Sequence, residues 1–121
     1  MTSPNDRLRD SWRDERRRLQ RQIGDLQQRF DDIVAAAELT STDDEHDPEG
    51  ATIAYERAQV WALLQHARTA LAAIEGSLES VDAGEVPDCA VCHGAIDTER
   101  LLALPGIRTC IDCARRGHRL P

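Results

Sequence analysis

Four cysteines carry the one pattern in this chain whose types and spacing point to chemistry. They read Cys89-Ala90-Val91-Cys92, then seventeen residues, then Cys110-Ile111-Asp112-Cys113. Two C-x-x-C pairs fifteen to twenty residues apart have the spacing of a four-cysteine zinc site. Each pair turns tightly enough to aim two sulfurs at one point, and the intervening segment folds back to set the second pair opposite the first. Four thiolates then surround one Zn²⁺ at about 2.3 Å each and leave no position for water. A closed shell of that kind predicts a metal that holds a fold and performs no reaction. The predicted ligands are Cys89, Cys92, Cys110 and Cys113, and the predicted cofactor is one structural Zn²⁺.

Other uses of these thiols compete. Two disulfides need an oxidising compartment, and Met1-Thr2-Ser3-Pro4-Asn5-Asp6 carries no apolar leader to take the chain there. A redox C-x-x-C normally opens a helix in a strand-helix-strand unit, and the pattern shows no such unit. His93 directly follows Cys92 and is an alternative donor; His46 and His66 read as solvated, and His118 as part of a basic tail. There is no phosphate-cradling Gly loop, no Ser-His-Asp arrangement and no H-E-x-x-H. An enzyme is therefore not expected.

The cysteine segment, 85–121, is too short to bury a self-sufficient core, which is consistent with a metal staple supplying roughly 10 kcal/mol or more of folding free energy. What must position it lies upstream. Apolar residues step by four and three through Leu8, Trp12, Leu19, Ile23, Leu26, Phe30, Ile33 and Ala37, with Arg16 the one interruption. That heptad seam predicts a helix over 3–39, capped by Ser3 or Asn5 with Pro4 in its first turn. The pattern resumes over 51–82 through Ile53, Val60, Leu64, Ala67, Leu71, Ile74, Leu78 and Val81, with Arg57 the exception. Two matching seams joined by a short loop predict an antiparallel hairpin, a finger of about 45–50 Å at 1.5 Å per residue. A two-chain coiled coil would use the same seam. Gly84 and Pro87 end the second helix.

The expected fold is thus mainly α: a long antiparallel helical hairpin (coiled coil) over 1–84, then a small four-cysteine zinc-finger module over 85–121. Inside the module, Ala95–Leu104 reads as a small hairpin, Pro105-Gly106 as a turn, and Ala114–Leu120 as a short terminal helix. The loop over 40–50 breaks the helical period with Ser, Thr, Asp, Pro and Gly, and Asp47-Pro48 is a cap and first-turn pair for the second helix.

Net charge is −7, but its distribution says more: +3 over residues 1–30, −12 over 31–88 and +2 over 89–121. Every basic residue is Arg. Asp43, Asp44, Glu45 and Asp47 crowd the expected tip loop. Such a cluster is either a solvated turn or a probe that addresses a hard cation or basic side chains. Arg100, Arg115 and Arg116, with the first-helix arginines, are candidates for an anionic partner. Aromatic content is 3%, and Trp12, Phe30, Tyr55 and Trp61 fall at seam or flank positions, so they read as packing and not as base-stacking residues. No apolar run approaches the ~20 residues that cross a bilayer, so no membrane partner is expected and the cytoplasm is the expected location.

A helical hairpin with an acidic tip, joined to a C-terminal four-cysteine module, resembles the DksA/TraR family of bacterial RNA polymerase regulators. Ile96, Arg100-Leu101, Ala103, Pro105 and Cys110-Ile111-Asp112-Cys113 fall at that family's spacing, and Asp47-Pro48 echoes the Asp-Pro of its tip. The resemblance implies a transcription regulator that inserts its hairpin into the secondary channel of RNA polymerase, bringing the acidic tip near the catalytic Mg²⁺. It implies no direct recognition of promoter sequence. The family's tip pattern is Asp-x-x-Asp-x-Ala; here the later two positions are Gly50 and Thr52, with Asp43, Asp44 and Glu45 as the neighbouring carboxylates. The basic positions that accompany a response to guanosine tetraphosphate are Leu104 and Ala114 here, so the alarmone nucleotide stays open as a partner. The rival from another class is a zinc-ribbon nucleic-acid binder that uses the arginines at both ends on phosphates.

Overall fold

A computed structural model of the protein describes residues 3–39 and 48–117. The expected tip acids Asp43, Asp44, Glu45 and Asp47, together with His46, His118 and Arg119, lie outside the described residues. Four helices follow in order: α1 (Pro4–Leu39), α2 (Pro48–Asp82), α3 (Thr98–Ala103) and α4 (Ile111–Arg115). The described residues form no strand, only one isolated antiparallel bridge between Asp88 and Ala95. The mainly α fold with a C-terminal cysteine cluster is therefore what the sequence pattern requires. None of the described helices is long and apolar enough to cross a membrane.

Both long helices have ends that the local sequence explains. At the start of α1 the Asp6 N–H donates to Ser3 Oγ at 3.1 Å, and the Ser3 N–H donates back to the Asp6 carboxylate at 3.3 Å. This reciprocal capping box makes Ser3, of the two expected candidates, the cap, and Pro4 takes the first helical position, where its missing N–H costs nothing. The carboxyl of Asp6 is held below its ordinary value, chiefly by Ser3 and then by Arg9. α2 begins at Pro48, three residues earlier than the apolar period suggests, because proline suits a first turn. It ends where Gly84 adopts φ +82. The Glu85 N–H then reaches the Ser80 carbonyl at 2.8 Å and the Gly84 N–H reaches Val81 at 3.0 Å, the paired bonds that satisfy the last carbonyls of a helix.

The chain divides into two compact units, Leu19–Thr69 and Met1–Arg18 with Ala70–Pro121. In the first, Leu26 packs with Val60, Leu64 and Ala67, flanked by the half-buried Ile23, Phe30 and Ile33. Phe30 meets Trp61 at a ring separation of 5.5 Å, and Arg68 donates to Gln27 at 2.8 Å. Later residues of α1 thus face earlier residues of α2, so the pairing here is antiparallel. All of these seam positions were legible as apolar steps of four and three.

In the second unit Leu8 and Trp12 of α1, Ile74, Leu78 and Val81 of α2, and Ile96 and Leu101 of the cysteine segment are all buried. Arg9 ties the two long helices with bonds to Asp82 at 2.8 Å, Asp6 at 2.9 Å and the Val81 carbonyl at 3.4 Å. Two expectations are corrected here. The segment Ala95–Leu104 contains helix α3 and not a hairpin, since Thr98-Glu99-Arg100-Leu101-Leu102-Ala103 are mostly good helix formers that bury Leu101. The terminal helix starts at Ile111, three residues before the expected Ala114, and spans Ile111–Arg115; of the expected range, 118–120 lies outside the described residues. It starts at the second cysteine pair, and the Gly117 N–H closes its end on the Ala114 carbonyl at 3.1 Å.

Candidate metal centre

The four cysteines come from two turns. In the first, the His93 N–H donates to the Cys89 carbonyl at 2.9 Å and the Cys89 N–H to the Gly94 carbonyl at 2.8 Å, closing a loop around residues 89–94. The Gly94 N–H points at Cys92 Sγ at 3.4 Å. A Cβ on Gly94 would stand 3.3 Å from that sulfur, a close approach that only glycine makes without displacement. In the second turn Cys110 caps α4, its Sγ accepting from the Cys113 N–H at 3.4 Å. The Ala90 N–H donates to the Arg108 carbonyl at 2.8 Å and so links the two turns.

The four Sγ atoms lie within 4.8 Å of one another. Thiolates at about 2.3 Å from a tetrahedral zinc stand about 3.8 Å apart, and Cys92 and Cys110 have their sulfurs at 3.7 Å. A disulfide needs about 2.05 Å, and all four cysteines are free thiols. Cys89 and Cys113 are buried, Cys110 is half-buried and Cys92 is exposed.

The electrostatics also call for a cation. The Cys89 thiol is lowered to about 6, chiefly by the backbone N–H groups of Cys92 and Cys110. The Cys113 thiol is pushed up to about 12 by burial first, then by hydrogen bonds to the three neighbouring thiols. Thiols packed this closely cannot all ionise unprotected, because each new thiolate repels the last. A divalent cation removes that conflict, so donor type, number and spacing fit one Zn²⁺. With four sulfur donors the shell is closed, and the metal's contribution is to folding. His93 does not complete a ligand set; its side chain is exposed, and its backbone sits at φ +62.

The arginines named from the sequence have separate surroundings. Arg100, on α3, is partly buried, and its Nε donates to the Thr109 carbonyl at 2.9 Å. Arg115 and Arg116 are exposed at the end of α4. Arg7 pairs with Glu99 at 3.3 Å and Arg9 with Asp82, while Arg17 pairs with Asp14 and Arg18 with Glu15.

Sequence reasoning did not find the role of Trp12 at this centre. Its ring is fully buried, and Nε1 donates to the Leu101 carbonyl of α3 at 3.4 Å. The heptad pattern marked Trp12 as a seam residue but carried no sign of which later segment would cover it. Thr109, a buried polar residue beside Cys110, was likewise missed.

Fold and site together define a helical protein stapled by a C4 zinc finger. Residues 83–116 match the prokaryotic dksA/traR C4-type zinc finger family, a likeness that covers the four cysteines and the turns that carry them. Among solved structures, the chain is similar to transcription factor DksA2 from Pseudomonas aeruginosa. The TM-score is 0.75 and the identity 24%, over 94% of this chain and 82% of that one. No curated protein sequence matches the chain. The fold likeness thus extends from the zinc finger through the long helices.

Proposed function

We propose that this protein is a transcription regulator that acts by binding bacterial RNA polymerase and not by reading promoter sequence. The observation that carries the reading is the combination of a DksA/TraR-type zinc finger at residues 83–116 with a fold like that of a transcription factor over 94% of the chain. In this reading the paired helices enter the secondary channel of polymerase. The carboxylates of Asp43, Asp44, Glu45 and Asp47 then face the basic side chains and Mg²⁺ of its active centre. The zinc finger holds the roots of α1 and α2 and takes no part in chemistry, and no catalytic role is assigned to any residue. Arg115 and Arg116 are free to contact the polymerase surface.

The nucleic-acid-binding alternative has less support. Arg7, Arg9, Arg17 and Arg18 of α1 are each engaged with a carboxylate, and residues 31–88 carry −12. In vitro transcription with purified bacterial polymerase tests the proposal. The zinc-loaded protein should change transcript yield, and Asp43→Arg, Asp44→Arg and Asp47→Arg together should abolish that change with zinc content and helicity kept. An effect retained in the triple variant would discard the tip mechanism. An effect absent with the unaltered protein would discard the polymerase reading, and steeply salt-dependent binding to DNA alone would replace it.

A further inference from the structure

The segment from Pro105 to Thr109 has no helix or strand to fix it, yet it delivers Cys110 to the metal centre. Two successive carbonyls hold it. That of Arg108 accepts from the Ala90 N–H at 2.8 Å, next to the first ligand, Cys89. That of Thr109 accepts from the Arg100 Nε at 2.9 Å, immediately before the third ligand, Cys110. Thr109 is only 8% exposed, so its carbonyl needs a partner from the protein. Arg100 belongs to α3, which supplies no ligand but is anchored by the buried Leu101. The donor is charged at every accessible pH, and a charged donor makes a shorter, stronger bond than a neutral one.

We propose that Arg100 is a positioning residue of the zinc centre: by fixing the Thr109 carbonyl, its guanidinium holds the Cys110 turn at the separation from the Cys89 turn that a tetrahedral ion requires. The ligands alone do not set this separation, because each C-x-x-C turn closes on itself through local hydrogen bonds. The Arg108 and Thr109 contacts anchor the second turn from outside, and of the two only the Thr109 contact uses a side chain. Arg100 is thereby committed to the metal centre, unlike the exposed Arg115.

The test is zinc affinity by competition with a chromophoric chelator, on the full chain. Arg100→Gln should weaken zinc binding about tenfold, the lower end of what outer contacts of metal ligands usually contribute. The helicity of the zinc-free protein should match that of the unaltered chain. Co²⁺-loaded Arg100→Gln should show weakened visible d–d absorption, the signature of a site that has lost part of its tetrahedral four-sulfur coordination. Arg100→Lys keeps the charge but moves the donor, and should fall between Gln and Arg. Arg115→Gln should leave zinc affinity and the Co²⁺ spectrum unchanged. Zinc affinity equal to that of the unaltered protein in Arg100→Gln would overturn the proposal. So would a loss that comes with an equal loss of helicity in the zinc-free chain, which would mark a general structural role. Should Arg100→Gln not fold, Arg100→Lys decides: unchanged zinc affinity and an unchanged Co²⁺ spectrum overturn the proposal.

Discussion

Trp12 offers the sharpest test of how the zinc finger and the helix roots depend on each other. Its ring is wholly buried among residues of Met1–Arg18 and Ala70–Pro121, and its indole N–H is bonded to the Leu101 carbonyl on α3. Trp12→Ala removes the largest fully buried side chain in the described structure. Truncations of this kind cost about 3–5 kcal/mol, through lost burial and the cavity left behind. Set against a total stability of about 5–15 kcal/mol for a small domain, that is a large fraction of what holds this unit together, and it should show as a clearly lowered unfolding midpoint. Trp12→Phe keeps most of the apolar contact but strips the donor from the Leu101 carbonyl, and should cost about 1–3 kcal/mol. Urea denaturation of the zinc-loaded protein, followed by far-UV circular dichroism, measures both. The midpoint should fall in the order unaltered, Phe, Ala, with the slope unchanged. A Trp12→Ala loss below about 1 kcal/mol would refute the placement of this ring at the joint between helix root and zinc finger.

Other consequences follow from the same geometry. Cys89→Ser should lower zinc content below one per chain, and chelation of Trp61→Phe protein, which leaves Trp12 as its one tryptophan and removes the already 48% exposed Trp61, should shift emission to the red. His93→Gly relieves a non-glycine residue at φ +62; it should retain zinc and raise stability by about 1 kcal/mol, whereas loss of zinc would make His93 a ligand. The Asp6 carboxyl is held below its ordinary 3.8, chiefly by Ser3. Its charged form therefore favours the fold above pH 3.8, and that contribution is lost as pH falls through the lowered value. Asp6→Asn should flatten this part of an acid titration of helicity, and Ser3→Ala should cost about 1 kcal/mol by removing the cap.

Much of this molecule is legible because its main elements obey local rules. The seam from Leu8 to Ile33 and from Val60 to Val81 follows the helical period, and its buried members are those the period selects. The cysteine spacing likewise announces a tetrahedral donor set before any coordinates exist. What escaped is long-range or irregular. Trp12 meets Leu101 across 89 positions of sequence, and an apolar period marks a face without naming what will cover it. The stretch Ala95–Leu104 was too short for period to separate hairpin from helix, and burial of Leu101 against neighbouring elements decided for α3. Arg100 read as a free cation, because nothing local shows that a carbonyl nine residues later needs its guanidinium. His93 in the left-handed region reflects the tight first turn, where backbone bonds to Cys89 set the conformation and the residue type follows poorly.

The most direct test of the functional account is a photo-cross-linking residue in place of Thr42, beside the acidic cluster, in zinc-loaded protein mixed with purified polymerase and promoter DNA. The account predicts a cross-link to the catalytic subunits at the secondary channel, suppressed by an excess of unlabelled protein. A cross-link confined to DNA, or none under conditions where transcription changes, would contradict it.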